Sequence, residues 1–124
     1  MNKLNQHLVG FFVAVKIANV WGADLLLSIH INATPSGYGY EDWIYDGAVS
    51  VMSIKGQNVV NNEVVRTSDW RNRGKKRGNL QVLRDSKMAA ILTESGFVEN
   101  QLMGFLIKLR VVMLMGLRKH LILK

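Results

Sequence analysis

Two short apolar runs each lead into a side chain suited to metal-assisted hydrolysis. Leu25-Leu26-Leu27-Ser28-Ile29 runs into His30, and Ala89-Ala90-Ile91-Leu92-Thr93 runs into Glu94. A buried strand that ends in a polar residue delivers that side chain to one edge of a sheet. In open α/β sheets, ligands bind at the carboxyl ends of the strands. A neutral imidazole is a zinc ligand. A carboxylate beside a zinc-bound water can accept its proton and later pass it to a leaving amine. Catalytic zinc usually takes three protein ligands and a water, so His30 and Glu94 are part of such a kit. Residue type alone leaves two readings open, because a lone His at a strand end is commonly a hydrogen-bonded structural residue and a lone Glu a solvated cap.

The surrounding pattern is that of an α/β sheet. Val13, Ile17 and Val20 share one face of a predicted helix over 12–21, and Gly22 follows as its stop. Leu25 to Ile29 is uniformly apolar, as in a parallel strand buried on both faces. A turn is expected over 32–37, around Pro35 and Gly37. The aromatic, alternating stretch Tyr38 to Tyr45 predicts a second strand. Val51, Ile54, Asn58, Val59, Asn62 and Val65 recur at helical spacing within 49–66. Residues 67–78 read as a polar, basic loop, and 80–83 and 89–93 as two further strands. Helices alternating with short apolar strands point to a sheet with helices packed against it.

Several of these segments, in this order, resemble the zinc-dependent N-acetylmuramoyl-L-alanine amidases of the type 3 amidase family. The resemblance lies in Ala18-Asn19 with Trp21-Gly22-Ala23-Asp24, and in Ser28-Ile29-His30-Ile31-Asn32-Ala33. It continues in Gly39-Tyr40-Glu41-Asp42-Trp43-Ile44-Tyr45, in Arg73-Gly74-Lys75-Lys76 through Val82-Leu83-Arg84, and in Thr93-Glu94-Ser95-Gly96-Phe97 with Asn100. It implies cleavage of the amide between the lactyl group of N-acetylmuramic acid and the first L-alanine of the stem peptide. By the same resemblance His30 is a zinc ligand and Glu94 the catalytic carboxylate. Glu41 receives no metal role.

The family's first zinc histidine, in a glycine-rich stretch, and its zinc glutamate, on the helix that follows, have no counterpart in this sequence. Residues 1–12 fit no family pattern, and His7 lies in no glycine-rich turn. The expectation is a single partial catalytic domain over 1–124, family-like over 13–100. Its fold is predicted to be α/β: a mixed twisted sheet flanked by helices and lacking its N-terminal strands. The edge beside Leu25 to Ile29 is then expected to be unpaired.

Charge is concentrated. The net charge is +7, and residues 101–124 hold Lys108, Arg110, Arg118, Lys119 and Lys124 with no acid. This tail reads as an apolar basic helix, either packed on the sheet or lying on a membrane surface. His120 within it is expected at the surface. Arg71, Arg73, Lys75, Lys76 and Arg77 form a second basic cluster, expected to be a solvated loop and alternatively a patch for an anionic polymer. No run reaches the ~18 apolar residues that span a bilayer, and the N-terminus resembles a signal peptide only faintly. With no cysteine, disulfides and thiolate zinc sites are excluded. Trp21, Trp43 and Trp70 are expected in the core or at its rim.

The functional expectation is therefore a zinc-dependent peptidoglycan amidase of doubtful activity, acting outside the cell or in the wall, with peptidoglycan as partner and zinc as an incompletely held cofactor. The rivals are a non-catalytic wall-binding remnant and a basic binder of nucleic acid or membrane surfaces.

Overall fold

The computed structural model of this chain describes residues 3–32, 37–97 and 112–115, with side chains within 12–32 and 37–96. The elements follow in the order α1 (Lys3–Trp21), β1 (Leu25–Asn32), β2 (Tyr40–Tyr45), α2 (Val51–Thr67), β3 (Asn72–Gly78), α3 (Gln81–Arg84), β4 (Ala89–Phe97) and β5 (Val112–Met115). They build one five-stranded mixed sheet in the order β3-β2-β4-β1-β5. β1 runs parallel to β4 and β2 parallel to β3, while β2 is antiparallel to β4 and β5 antiparallel to β1.

α1 stops where Gly22 adopts φ 68° and the Ala23 amide reaches back to the Ala18 carbonyl at 3.1 Å. This left-handed cap closes the helix and turns the chain into β1. The face that α1 buries is not the predicted one. Val15 and Ala18 are buried, whereas Val13 and Ile17 are exposed and Val20 is 90% exposed. The three apolar residues do share a face, but it points to water. The small Ala18 lets the helix approach the core. That core unites Val15, Ala18 and Ala23 with Leu26 of β1, Val82 and Leu83 of α3, and Ala90 and Leu92 of β4.

α2 covers the opposite face of the sheet and again departs from the apolar pattern. Its buried residues are Ser53, Gln57 and Asn61, spaced at i, i+4 and i+8, while Val51 and Val59 are exposed. The reason lies beneath it, where Asp42 of β2 is fully buried. Asn61 donates to its Oδ2 at 2.8 Å, and Gln57 donates to the carbonyls of Asp42 (3.3 Å) and Lys76 (3.1 Å). A buried carboxylate must find donors, so this helix docks through its amides. Ser50 caps its start, accepting from the Ser53 amide at 3.1 Å.

Three other segments differ from expectation. Within the predicted basic loop, residues 72–78 form the edge strand β3. The predicted strand over 80–83 is the single turn α3, in which the Leu80 carbonyl accepts from Leu83 (3.0 Å) and Arg84 (2.9 Å). A turn of helix puts the adjacent residues Val82 and Leu83 into the same core, whereas a strand would send them to opposite faces. The predicted tail helix contains β5, which pairs Met115 with Leu25 and Val112 with Ser28. The N-terminal half of the β1 edge is therefore covered rather than open. His120 and the other residues of 101–124 outside 112–115 lie beyond the described residues, as does Asn100. Trp21 is 58% exposed and Trp43 packs at the margin of the core. No helix among the described residues is long and apolar enough to cross a membrane.

The reassigned face of α1 has a measurable consequence. Ala18 is completely buried, so Ala18→Leu should overpack the core and cost about 1–3 kcal/mol. Val20→Ala, on the exposed face, should change stability by no more than about 0.5 kcal/mol. Urea denaturation of the two variants checks this, and a larger loss in Val20→Ala would restore the predicted face.

Candidate active site

The pairing of β1 with β4 runs without a slip from Leu25↔Ala89 to His30↔Glu94. On the other side of β4, Glu41 of β2 is the partner of Glu94. In-register residues on adjacent strands share a face, and the strands lie about 4.8 Å apart. His30, Glu94 and Glu41 thus form a row across three strands. The row lies on the face that carries Leu26, Ala90 and Leu92, the apolar core face, beyond the end of that core. The two sequence-predicted site residues are brought together, and Glu41 joins them. β1 continues two residues past His30 to Asn32, so His30 sits within the strand and not at its end.

Each member of the row has a distinct environment. His30 Nε2 shares a 2.8 Å hydrogen bond with the Ser28 hydroxyl, two residues back on the same face. Glu41 is buried, and its carboxylate is saturated. Oε2 accepts from Arg73 Nε at 2.8 Å and from Lys76 Nζ, and Oε1 accepts from Trp43 Nε1 (3.3 Å) and Asn32 Nδ2 (3.4 Å). Burial disfavours its charge, but Lys76 and Arg73 outweigh burial and hold the carboxyl below its ordinary range. Glu94 has no such cations among the described residues. Its Oε2 is buried without a hydrogen-bond partner among the described residues. Burial first, and the Glu41 charge second, push its pKa from 4.5 up to about 7.

The cationic end of the row depends on a local irregularity. Tyr40 pairs with Asn72, but Asp42 pairs with Lys75, so β3 carries one extra residue there. Gly74 sits in the bulge with φ 95°, and the Asn72 side chain accepts its amide at 2.8 Å. In a regular strand residues 73 and 76 would point to opposite faces. The extra residue brings both to Glu41. Sequence reasoning placed Ser28, Glu41, Arg73 and Lys76 within family-like segments but gave them no part in the site. The one available signal was Gly74 inside a basic run, since an isolated Gly in a strand marks a bulge.

The fit of this row to zinc can be tested on its donors. A catalytic zinc site needs about three protein ligands, and among the described residues no three His, Cys, Asp or Glu side chains are placed to hold a metal ion. His30 is the one imidazole in the row, and both Glu41 oxygens are committed. The described residues therefore do not form a zinc centre. They do form a carboxyl group poised near neutrality between an imidazole and an ionised carboxylate, which is a proton-transfer arrangement.

The Glu94 shift sets the sign of a pH effect. Between about pH 4.5 and 7 the folded chain keeps a proton that the unfolded chain has released. Stability contributed by this group therefore falls as pH rises through that window. Glu94→Gln cannot titrate. Its stability relative to the parent should rise from pH 4.5 to 7 and then level off, measured by urea denaturation across that range. Parallel curves for the two proteins would show that Glu94 does not titrate there.

The sheet that carries the row is shared with known proteins. The N-acetylmuramoyl-L-alanine amidase family matches residues 8–109. The chain is 41% identical over 100 residues to the N-acetylmuramoyl-L-alanine amidase CwlM of Bacillus licheniformis, covering 81% of this chain and 39% of that protein. It is 45% identical over 99 residues to the sporulation-specific N-acetylmuramoyl-L-alanine amidase of Bacillus subtilis, covering 80% of this chain and 38% of that protein. The crystal structure of an N-acetylmuramoyl-L-alanine amidase from Clostridium difficile 630 superposes with a TM-score of 0.65 at 36% identity, over 71% of this chain and 48% of that one. The chain thus spans about two fifths of the length of the two Bacillus relatives. With most of its residues matched in order, it belongs to the N-acetylmuramoyl-L-alanine amidase family.

Proposed function

We propose that this chain is a single partial catalytic domain for hydrolysis of the amide between N-acetylmuramic acid and L-alanine in peptidoglycan, acting in the cell wall or outside the cell. The observation that carries the reading is the in-register row of His30, Glu94 and Glu41. Glu94 is assigned to proton transfer. With a pKa of about 7, its carboxylate can take a proton from an attacking water near neutral pH and return it to the leaving amine. Burial, and after it the charge of Glu41 held ionised by Lys76 and Arg73, keeps Glu94 from releasing its proton at lower pH. His30 is assigned as one zinc ligand, on the strength of the family motif around it. One imidazole does not hold a catalytic zinc, so no step is assigned to this chain through the metal. Hydrolysis by the sequence as it stands is not expected.

Two measurements test this. Protein dialysed without chelator should carry far less than one zinc per chain by elemental analysis, and stoichiometric zinc would mean that further ligands complete the site. In a zymogram the chain alone should leave peptidoglycan uncleared even with zinc added. Fused behind the N-terminal portion of an amidase relative, which supplies the histidine and glutamate motifs absent here, it should clear the gel. Glu94→Ala in that fusion should abolish clearing while zinc stays bound. Clearing by the unfused chain that is lost in His30→Ala would overturn the incomplete-site reading.

A further inference from the structure

The basic cluster of the sequence is divided by the bulge at Gly74 into two populations. Arg73 and Lys76 turn to Glu41 on the core face. Lys75 and Arg77 are the partners of Asp42 and Ile44, which places them on the opposite face, toward α2. Lys75 Nζ donates to Asn58 Oδ1 of α2 at 2.8 Å, and Asn72 meets Asn61. These two contacts, with Gln57 on the Lys76 carbonyl, show that α2 lies antiparallel to β3. Going up the strand means going down the helix. Arg77 is therefore level with the turn that precedes Asn58, where Lys55 stands three residues back on the same side. Lys55, Lys75 and Arg77 are all exposed. None of the three makes an ion pair among the described residues, and Glu63, the acid of this helix, is held by Arg66 at 2.6 Å.

We infer that the seam between α2 and β3, with Lys55, Lys75 and Arg77, is a docking surface for a flexible phosphodiester polymer of the cell wall. Charge complementarity selects a polyanion. The shape selects its kind. The cations follow a sheet edge and a helix flank, with strand positions 75 and 77 about 6.6 Å apart. That suits a linear chain carrying spaced charges. A duplex is read by an element entering its groove, and among the described residues no element projects from this seam. Single-stranded nucleic acid is gripped by stacking on open aromatic rings. Here Trp70 is stacked on Tyr40 with centroids 6.4 Å apart, and Trp43 lies under Lys76. This inference rests on the family reading for its location in the wall. The seam is on the sheet face opposite the His30–Glu94 row, so a polymer held there leaves the row open.

The test is binding of the whole chain to soluble poly(glycerol phosphate), by fluorescence anisotropy over a range of salt. The parent should bind, and K55Q/K75Q/R77Q should weaken binding at least tenfold and lower the log–log salt slope by about 2, at roughly 0.7 per lost phosphate contact on a flexible strand. Lys55→Gln alone, on an exposed helix position, should lower the slope by about 0.7. It guards against a misfolded triple variant. A tail variant, R118Q/K119Q/K124Q, should bind like the parent. Unchanged binding in both seam variants would overturn the inference. So would single-stranded DNA of matched phosphate content binding as tightly as poly(glycerol phosphate), which would point to a nucleic-acid surface. Acid-stripped sacculi, freed of phosphate polymers, separate the two readings. Loss of seam binding on stripped walls with zymogram clearing by the fusion intact supports both. Failure of the fusion to clear, with seam binding to poly(glycerol phosphate) intact, sinks the amidase reading alone.

Discussion

The unbroken parallel register between β1 and β4 is the constraint on which the site depends. Six successive pairs, from Leu25↔Ala89 to His30↔Glu94, lock two strands that are far apart in sequence. A slip of one residue would carry Glu94 to the α2 face and leave His30 alone. The slip is opposed by what it would bury. Ala90 and Leu92 of β4 would leave the α1–α3 core for the polar face under α2, and Thr93, with Ala89 and Ile91, would turn to the core. The hydrophobic effect on Leu26 and Leu92 thus sets the position of two polar side chains further along the same strands. The register begins to shift only beyond His30, after the pair has been placed.

The two faces of the sheet are chemically unlike, yet burial raises the pKa of a carboxyl on each. The α2 face is lined by a polar network in which Gln57 and Asn61 supply Asp42 with donors. Even so, Asp42 Oδ1 has no hydrogen-bond partner among the described residues, and burial raises the Asp42 pKa. The other face is apolar, with small Ala18 and Ala90 letting α1 and α3 close over it. Glu94 extends this apolar face by one strand position, so burial penalises its charge with little to offset it. Its behaviour therefore follows from burial with no cation beside it among the described residues. Glu41, one strand away on the same face, shows the contrast. The same burial penalty is overcome there because two cations reach it.

Much of this was legible in the residues. The two apolar runs marked β1 and β4, and the polar residues at their ends marked the row. What failed was the reading of helix faces. On α1 the apolar residues Val13, Ile17 and Val20 are outside, because burial there is set by the small Ala18 that permits close approach. On α2 the expected stripe of valines and isoleucine is displaced by Ser53, Gln57 and Asn61, because a buried acid on the sheet outweighs apolar pattern. Both failures have one cause: periodicity identifies a face, but the partner decides which face is used. The tail strand β5 was illegible for a related reason. Val112-Met113-Leu114-Met115 has no alternation to show, and what makes it a strand is the apolar edge of β1 beside it.

The cost of burying Glu41 explains why the edge strand is built as it is. An unpaired buried carboxylate is expensive, and breaking a buried pair by removing one partner typically costs about 3–5 kcal/mol. Glu41 must stay ionised to act on Glu94, so its partners must come from the neighbouring strand. β3 is the sheet edge, where strands tolerate bulges and charges and where Lys and Arg also block pairing with other chains. A regular edge strand would offer Glu41 cations from alternate positions only. Residues 73 and 76 are separated by an odd number of positions, so only an inserted residue lets both serve. Gly74 takes the positive φ that this requires. The same insertion leaves Lys75 and Arg77 on the far face, where neither makes an ion pair among the described residues. The neutralisation of Glu41 and the exposed charge of the α2–β3 seam are thus two consequences of one glycine in the strand.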